Sequence, residues 1–281
     1  MKKIVFIADF FVENGLLGGG ELNNDELCNL LIRAKHSLIK IKSAEVTEEF
    51  LYKNRSSKFI ISNFIQLNPR FRDLLTEHCK YVIYEHDHKY LKSRNPSFYT
   101  DYVAPKDQII NYDFYKNAKA VFCQSNFHKQ IVEKNLSLDN IISLGGNLWS
   151  DETLNLLEHL SGQPKENKYS IMQSDNWHKN TADAVKFCKA KQFDFELIPS
   201  CSYEEFLNRL SRNDKFVFFP KTPETLSRII VEARMAGMSV TTNNNVGASK
   251  EEWFKLKGKE LINVMREKKM EILTKVLEVF K

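Results

Sequence analysis

Two glutamates, Glu224 and Glu232, stand eight positions apart in PETLSRIIVEARMAGMSV, residues 223–240. On a helix opening at about Pro223 and Glu224 that spacing is ~12 Å along the axis and roughly 80° around it. Carboxylates so placed share neither a proton nor a metal ion, but they suit the two ends of an extended ligand. Unpaired backbone N–H groups at residues 225–227, including Thr225 and Leu226, would then face anionic phosphates between them. Two solvated surface glutamates would show the same spacing, so spacing alone does not choose.

Two further stretches have chemistry in them. The turn LLGGGE, residues 16–21, lets a backbone approach a ligand or take positive φ ahead of a helix N-terminus. A plain chain reversal would use the same residues. The run EHDH, residues 85–88, ends an apolar strand. Alternation along a strand puts His86 and His88 on one face and Asp87 on the other. A His-x-His metal pair and a surface histidine cluster both fit, with no third ligand evident nearby.

The elements that must position these groups alternate along the chain. Apolar strands are expected at 3–10, 38–42, 58–63 and 80–85, with helices at 21–34, 47–54 and 69–79. A strand and a Ser125-capped helix follow over 118–136. Later strands fall at 168–173, 193–198 and 215–219, the last stopped by Pro220. Leu226, Ile229, Ile230, Ala233 and Ala236 recur at helical spacing before Gly237. Continuous apolar strands alternating with helices predict parallel sheets covered on both faces, with ligands beyond the carboxyl ends of the strands. The loop 89–105 is longer than a connection needs and suits an acceptor site. A polar linker is expected over 149–167, and one amphipathic helix over 258–281.

At 281 residues with 42% apolar content, the chain suits two domains. Forty-one basic against 36 acidic residues give +5, which permits an anionic donor, nucleic acid or a membrane surface and demands none. Five scattered cysteines without a C-x-x-C pair indicate free thiols, neither a disulfide framework nor a zinc site. No uninterrupted run of 18 apolar residues occurs, and Asp9 interrupts the apolar N-terminal stretch. A soluble, cytoplasmic protein without a transmembrane segment is therefore expected, peripheral membrane contact remaining open.

The segment 223–240 closely resembles the donor-site signature of retaining glycosyltransferases of the GT-B fold, family 4. The resemblance implies that Glu224 hydrogen-bonds the transferred sugar and that Glu232 holds the ribose of the nucleotide. The family's Gly-Gly-x-Glu turn is matched in approximate form at Gly19, Gly20 and Glu21, which makes Gly19 and Gly20 neighbours of the donor. A histidine followed by Asp at a strand end reaches the donor sugar in that family. Here His86 is the match, with His88 its competitor, so the implied catalytic residues are His86 and Glu224. Lys179 matches a diphosphate-binding lysine, while Ser174 occupies the place of the family's arginine and shifts that duty toward Arg228. The implied architecture is α/β, GT-B, with two Rossmann-like domains whose parallel sheets face a central cleft. The domains are expected at 1–148 and 149–257, with a C-terminal helix at 258–281 packing back on the first. The implied reaction moves a sugar from a nucleotide-diphosphate sugar to an acceptor hydroxyl of a glycan or lipid-linked glycan, with no cofactor and no metal. Two other classes are a DNA glycosyltransferase acting on a hydroxylated base and a non-catalytic nucleotide-binding module of the same fold.

Overall fold

The computed structural model describes residues 3–15 and 18–281, so the Leu16–Leu17 part of the glycine turn lies outside the described residues. Two compact units emerge, Met1–Leu148 with Lys269–Lys281, and Trp149–Lys268.

Unit 1 has six strands, β1 (Ile4–Ala8), β2 (Leu38–Lys42), β3 (Lys58–Ile61), β4 (Lys80–Glu85), β5 (Val121–Cys123) and β6 (Ile141–Ser143). All pair in parallel, in the order β2-β1-β3-β4-β5-β6. Its helices are α1 (Gly19–Arg33), α2 (Glu48–Asn54), α3 (Pro69–His78), α4 (Tyr112–Asn117) and α5 (Asn126–Leu136). β1 is apolar at every position because both faces are covered. Val5 and Ile7 pack with Phe59, Ile83 and Tyr115 on one side. Ile4 and Phe6 pack with Leu27 and Leu31 on the other, joined there by Ile272, Val276 and Phe280 from the C-terminal segment.

Unit 2 runs α6 (Asp151–Ser161), β7 (Glu166–Met172), α7 (Thr181–Ala190), β8 (Phe195–Ile198), α8 (Tyr203–Leu210), β9 (Asn213–Phe218), α9 (Arg228–Met235) and β10 (Ser239–Thr242). Its four parallel strands lie in the order β10-β9-β7-β8. A last helix, α10, spans Gly258–Glu278.

Three expectations need correction. The polar linker over 149–167 is largely helix α6, capped where Ser150 Oγ accepts Thr153 N–H at 3.1 Å. Leu154, Leu157 and Leu160 bury one of its faces in the core of unit 2. Second, β4 stops at Glu85, so strand alternation does not govern His86 and His88. Third, the helix expected to open at Pro223 and Glu224 begins at Arg228. Glu224 instead bridges Val246 in parallel, donating to Asn245 O at 2.7 Å and accepting from Gly247 N at 2.9 Å. Ala248 N–H donates to Leu226 O at 3.0 Å, and Ser227 then takes φ 73° before the helix starts. A backbone already bonded to another strand cannot also wind into a helix. The five cysteines are unpaired. Among the described residues, no helix is long and apolar enough to cross a membrane.

Candidate functional site

In each sheet the connections reverse direction once. In unit 1 the chain passes from β1 outward to β2, and from β3 the other way to β4, so the switch lies between β1 and β3. In unit 2 it lies between β7 and β9. Loops leaving the carboxyl ends of parallel strands diverge at such a point and open a crevice for a ligand.

At the unit 1 switch the chain returning from β1 enters α1 at Gly19 and Gly20. A Cβ on Gly20 would meet His86 Cγ and Cδ2 at 3.5 Å and Asn63 Nδ2 at 3.7 Å, so the glycine lies directly on the imidazole. His86 itself is half-buried. Its Nε2 is 2.8 Å from Asn24 Oδ1, which also accepts Ser62 Oγ–H at 2.9 Å. Its Nδ1 faces Gln124 Nε2. Asn24, Ser62 and Gln124 are all buried. Asp9, at the end of β1, accepts Ile65 N–H at 2.9 Å and Gln66 N–H at 3.0 Å, which holds the loop after β3 in place.

Beneath this edge lies a charged interior. Lys89, fully buried, bonds Glu85 and Asp87, and Arg94 bonds Asp87 from outside. Tyr115 donates its hydroxyl to Glu85, which also accepts Asp87 N–H at 3.0 Å. Burial pushes the Glu85 carboxyl up to about 7. Burial opposes the Asp87 carboxylate too, but the Lys89 and Arg94 cations outweigh it and hold that group well below the usual carboxylate range. His88 points into this interior, with Nδ1 3.0 Å from Tyr90 OH, and burial lowers it to about 4. His128 lies beside it, accepting Gln124 N–H at Nδ1 and donating from Nε2 to Asp87 O at 3.0 Å, and burial holds it well below its ordinary value. The two candidate histidines are thus separated: His86 borders the crevice and His88 belongs to the core.

At the unit 2 switch, Lys179 follows β7 and Glu224 follows β9. Lys179 Nζ donates to Glu224 Oε1 at 2.8 Å, with side chains 33% and 18% exposed. Asn180 Nδ2 donates to Phe219 O at 2.8 Å, and Asn243 and Asn245 each donate to Pro220 O, so side-chain amides bind these loops together. Ser174 N–H donates to Thr181 Oγ1 at 3.0 Å in the same turn. Glu232 is buried, and its Oε1 accepts Trp149 Nε1–H at 2.9 Å and Tyr203 O–H at 2.6 Å, with Arg228 Nε at 3.4 Å. The three contacts converge on one oxygen. Neither Glu224 Oε2 nor Glu232 Oε2 has a partner among the described residues. Ser227 Oγ is buried without one as well. Leu226 is packed in the core and Thr225 is half-buried. Unpaired N–H groups therefore belong to the first turn of α9 rather than to residues 225–227.

The structure brings together Gly20 with His86, and Lys179 with Glu224, while Gly19 is exposed at the start of α1. Asn24 and Gln124 escape a sequence reading, because a neutral amide on a helix or after a strand has no diagnostic spacing. Among the described residues, no group of three or more His, Cys, Asp or Glu is placed to hold a metal ion.

No protein-family model matches the chain, and no curated protein matches it. Solved structures do. Anabaena Alr3699/HepE in complex with UDP and glucose aligns at TM-score 0.56 and 12% identity, covering 97% of this chain and 90% of that one. The same protein in complex with UDP-glucose aligns at 0.53 and 12% identity, covering 99% and 97%. An alpha-glucosyltransferase in complex with UDP and a 13-mer DNA containing a HMU base scores 0.46 at 12% identity over 98% and 95%, too distant to bear on the fold. The HepE likeness and the two parallel-sheet α/β units give the chain the GT-B fold.

Proposed function

We propose that this protein is a retaining glycosyltransferase that moves a sugar from a nucleotide-diphosphate sugar to an acceptor hydroxyl of a glycan or lipid-linked glycan. The observation that carries the reading is the Lys179–Glu224 pair, two residues 45 positions apart joined at the switch point of the donor-side sheet. The fold shared with a protein solved in complex with UDP-glucose supports the donor class.

In this reading the bond from the anomeric carbon to the diphosphate breaks and the bond to the acceptor oxygen forms on the same face. The acceptor proton leaves with the departing phosphate. Lys179 and the N–H groups of the first turn of α9 stabilise the charge that develops on that phosphate, with the Ser227 hydroxyl beside them. Glu224 keeps Oε1 on Lys179 and offers Oε2 to a sugar hydroxyl. Glu232 keeps Oε1 on Trp149 and Tyr203 and offers Oε2 to the ribose. His86 and Gly20 border the sugar from the unit 1 edge. Fixed cations and helix-end dipoles supply the electrophilic assistance, so transfer is expected to persist in EDTA.

The test is a thermal-shift screen against UDP, GDP, ADP, CMP and their sugar conjugates, since a ligand of the native state raises the midpoint by mass action. One selective diphosphate shift, diminished in Glu232→Gln, is the expected result, followed by transfer to a glycan acceptor. No shift with any nucleotide would overturn the reading. A shift without transfer or donor hydrolysis would leave a non-catalytic binding module, and salt-sensitive transfer to hydroxylated DNA would replace the glycan acceptor.

A further inference from the structure

His86 sits in an environment that dictates its protonation. One ring nitrogen faces an amide oxygen, Asn24 Oδ1, and the other faces an amide nitrogen, Gln124 Nε2. An imidazolium donates from both nitrogens, so it would set an N–H against the N–H of Gln124. A neutral ring protonated at Nε2 satisfies both contacts at once: it donates to Asn24 and accepts from Gln124.

Each amide is itself tied down. Asn24 is fully buried on α1, and its oxygen also receives Ser62 Oγ–H. Gln124 has its main-chain N–H on His128 Nδ1, and His128 Nε2 donates to Asp87 O, one residue beyond His86. The ionisable groups around the ring are Tyr84 from β4, whose ring is 5.2 Å away, Asp87, bonded to Lys89 and Arg94, and His128 from α5. None of them supplies a second acceptor to His86.

Resting on the reading that His86 borders the transferred sugar, we propose that Asn24 and Gln124 are positioning residues that hold His86 in one neutral, Nε2-protonated tautomer. The ring then meets the sugar as a fixed, uncharged wall under Gly20, and it neither takes nor gives a proton during transfer. No contact between the two amides and the ligand is required. They act through the ring.

The experiment is ring 15N and 13C NMR on the full-length, histidine-labelled protein without ligand at pH 7.5, with the His86 signals identified by their loss in His86→Gln. The expected spectrum shows His86 protonated at Nε2 alone, and a mixture of tautomers in Gln124→Leu. Protonation at Nδ1 alone, or at both nitrogens, would overturn the clamp. This readout needs no donor, so its failure is distinguishable from a failure of the glycosyl-transfer reading. A kinetic arm follows where transfer is measurable. Gln124→Leu is expected to lower kcat roughly tenfold to a hundredfold by misplacing the ring. In a His86→Ala background the same substitution should cause no further loss. Equal losses in both backgrounds would overturn the role of Gln124 as one exerted through His86.

Discussion

The two switch-point edges share a backbone plan and differ in charge. In unit 1 the crevice is bordered by a glycine, an imidazole and two neutral amides, with the charged cluster of Glu85, Asp87 and Lys89 withdrawn beneath it. In unit 2 the charges stand at the edge itself, as the Lys179–Glu224 pair ahead of α9. Parallel sheets explain why both edges present loops. The side chains explain why the edges would do different work, the charged one suiting a diphosphate and the neutral one suiting sugar hydroxyls. A second contrast lies within unit 2. Glu232 is buried and shared among three partners, whereas Glu224 is partly exposed and holds one. The same residue type, eight positions along one segment, serves the fold in one place and the crevice in the other.

The contrast between the glutamates breaks most sharply under truncation. Glu232→Ala strands the Trp149 and Tyr203 donors and the Arg228 guanidinium in the interior, so chemical denaturation should show a loss of about 3–5 kcal/mol. A variant as stable as the parent would remove Glu232 from the core's support. Glu224→Gln keeps the shape and loses the charge. Transfer is expected to fall by about 10²–10³ with stability unchanged, as initial rates and a thermal melt would show. Equal activity in that variant would falsify the assignment of Glu224.

The interior of unit 1 supplies the next test. His88 is lowered to about 4 in the fold against an ordinary value near 6.5, so the unfolded chain binds more protons between those values. Its contribution is complete above about pH 6.5 and is lost as pH falls toward 4, by up to about 3 kcal/mol. Glu85, raised to about 7, acts oppositely, since its contribution is present below the ordinary carboxyl range and fades as pH rises through 7. Comparing melts of the parent and His88→Gln from pH 4.5 to 7 isolates the histidine, and the variant should lose the steeper acid slope. Parallel slopes would place His88 outside the titration. The smallest expected effect is Lys179→Ala, which should weaken binding of a nucleoside diphosphate by about 1.5–3 kcal/mol in calorimetry. Unchanged affinity would turn attention to the first turn of α9 alone.

Much of the fold is legible in the chain. Runs such as KYVIYE and FVFF are apolar throughout because parallel strands are covered on both faces, and Ser125 marks its helix through a cap that forms as expected, accepting His128 N–H at 3.1 Å. The neighbourhood of Lys179 and Glu224 is legible only through a resemblance, since nothing local links positions 45 residues apart. The start of α9 is not legible, because Glu224 to Leu226 are held by residues 245–248, a pairing no local pattern records. Helix α6 was obscured by the polar GQPKENK that follows it, although Leu154, Leu157 and Leu160 bear its period. Asn24 reads as an ordinary polar helix residue until its face of α1 is seen to be buried.

Unit 1 is not continuous in the chain. Ile272, Leu273, Val276 and Phe280 fill the same side of its sheet as Ile4 and Phe6, although all of unit 2 lies between them in sequence. On a ribosome, the first unit begun is therefore the last completed. At synthesis rates of ~5–20 residues per second, its sheet waits on the order of ten seconds with that face uncovered. During that interval the nascent chain is open to chaperones that bind apolar strands, and a fragment ending at Leu148 would carry the same exposed face permanently.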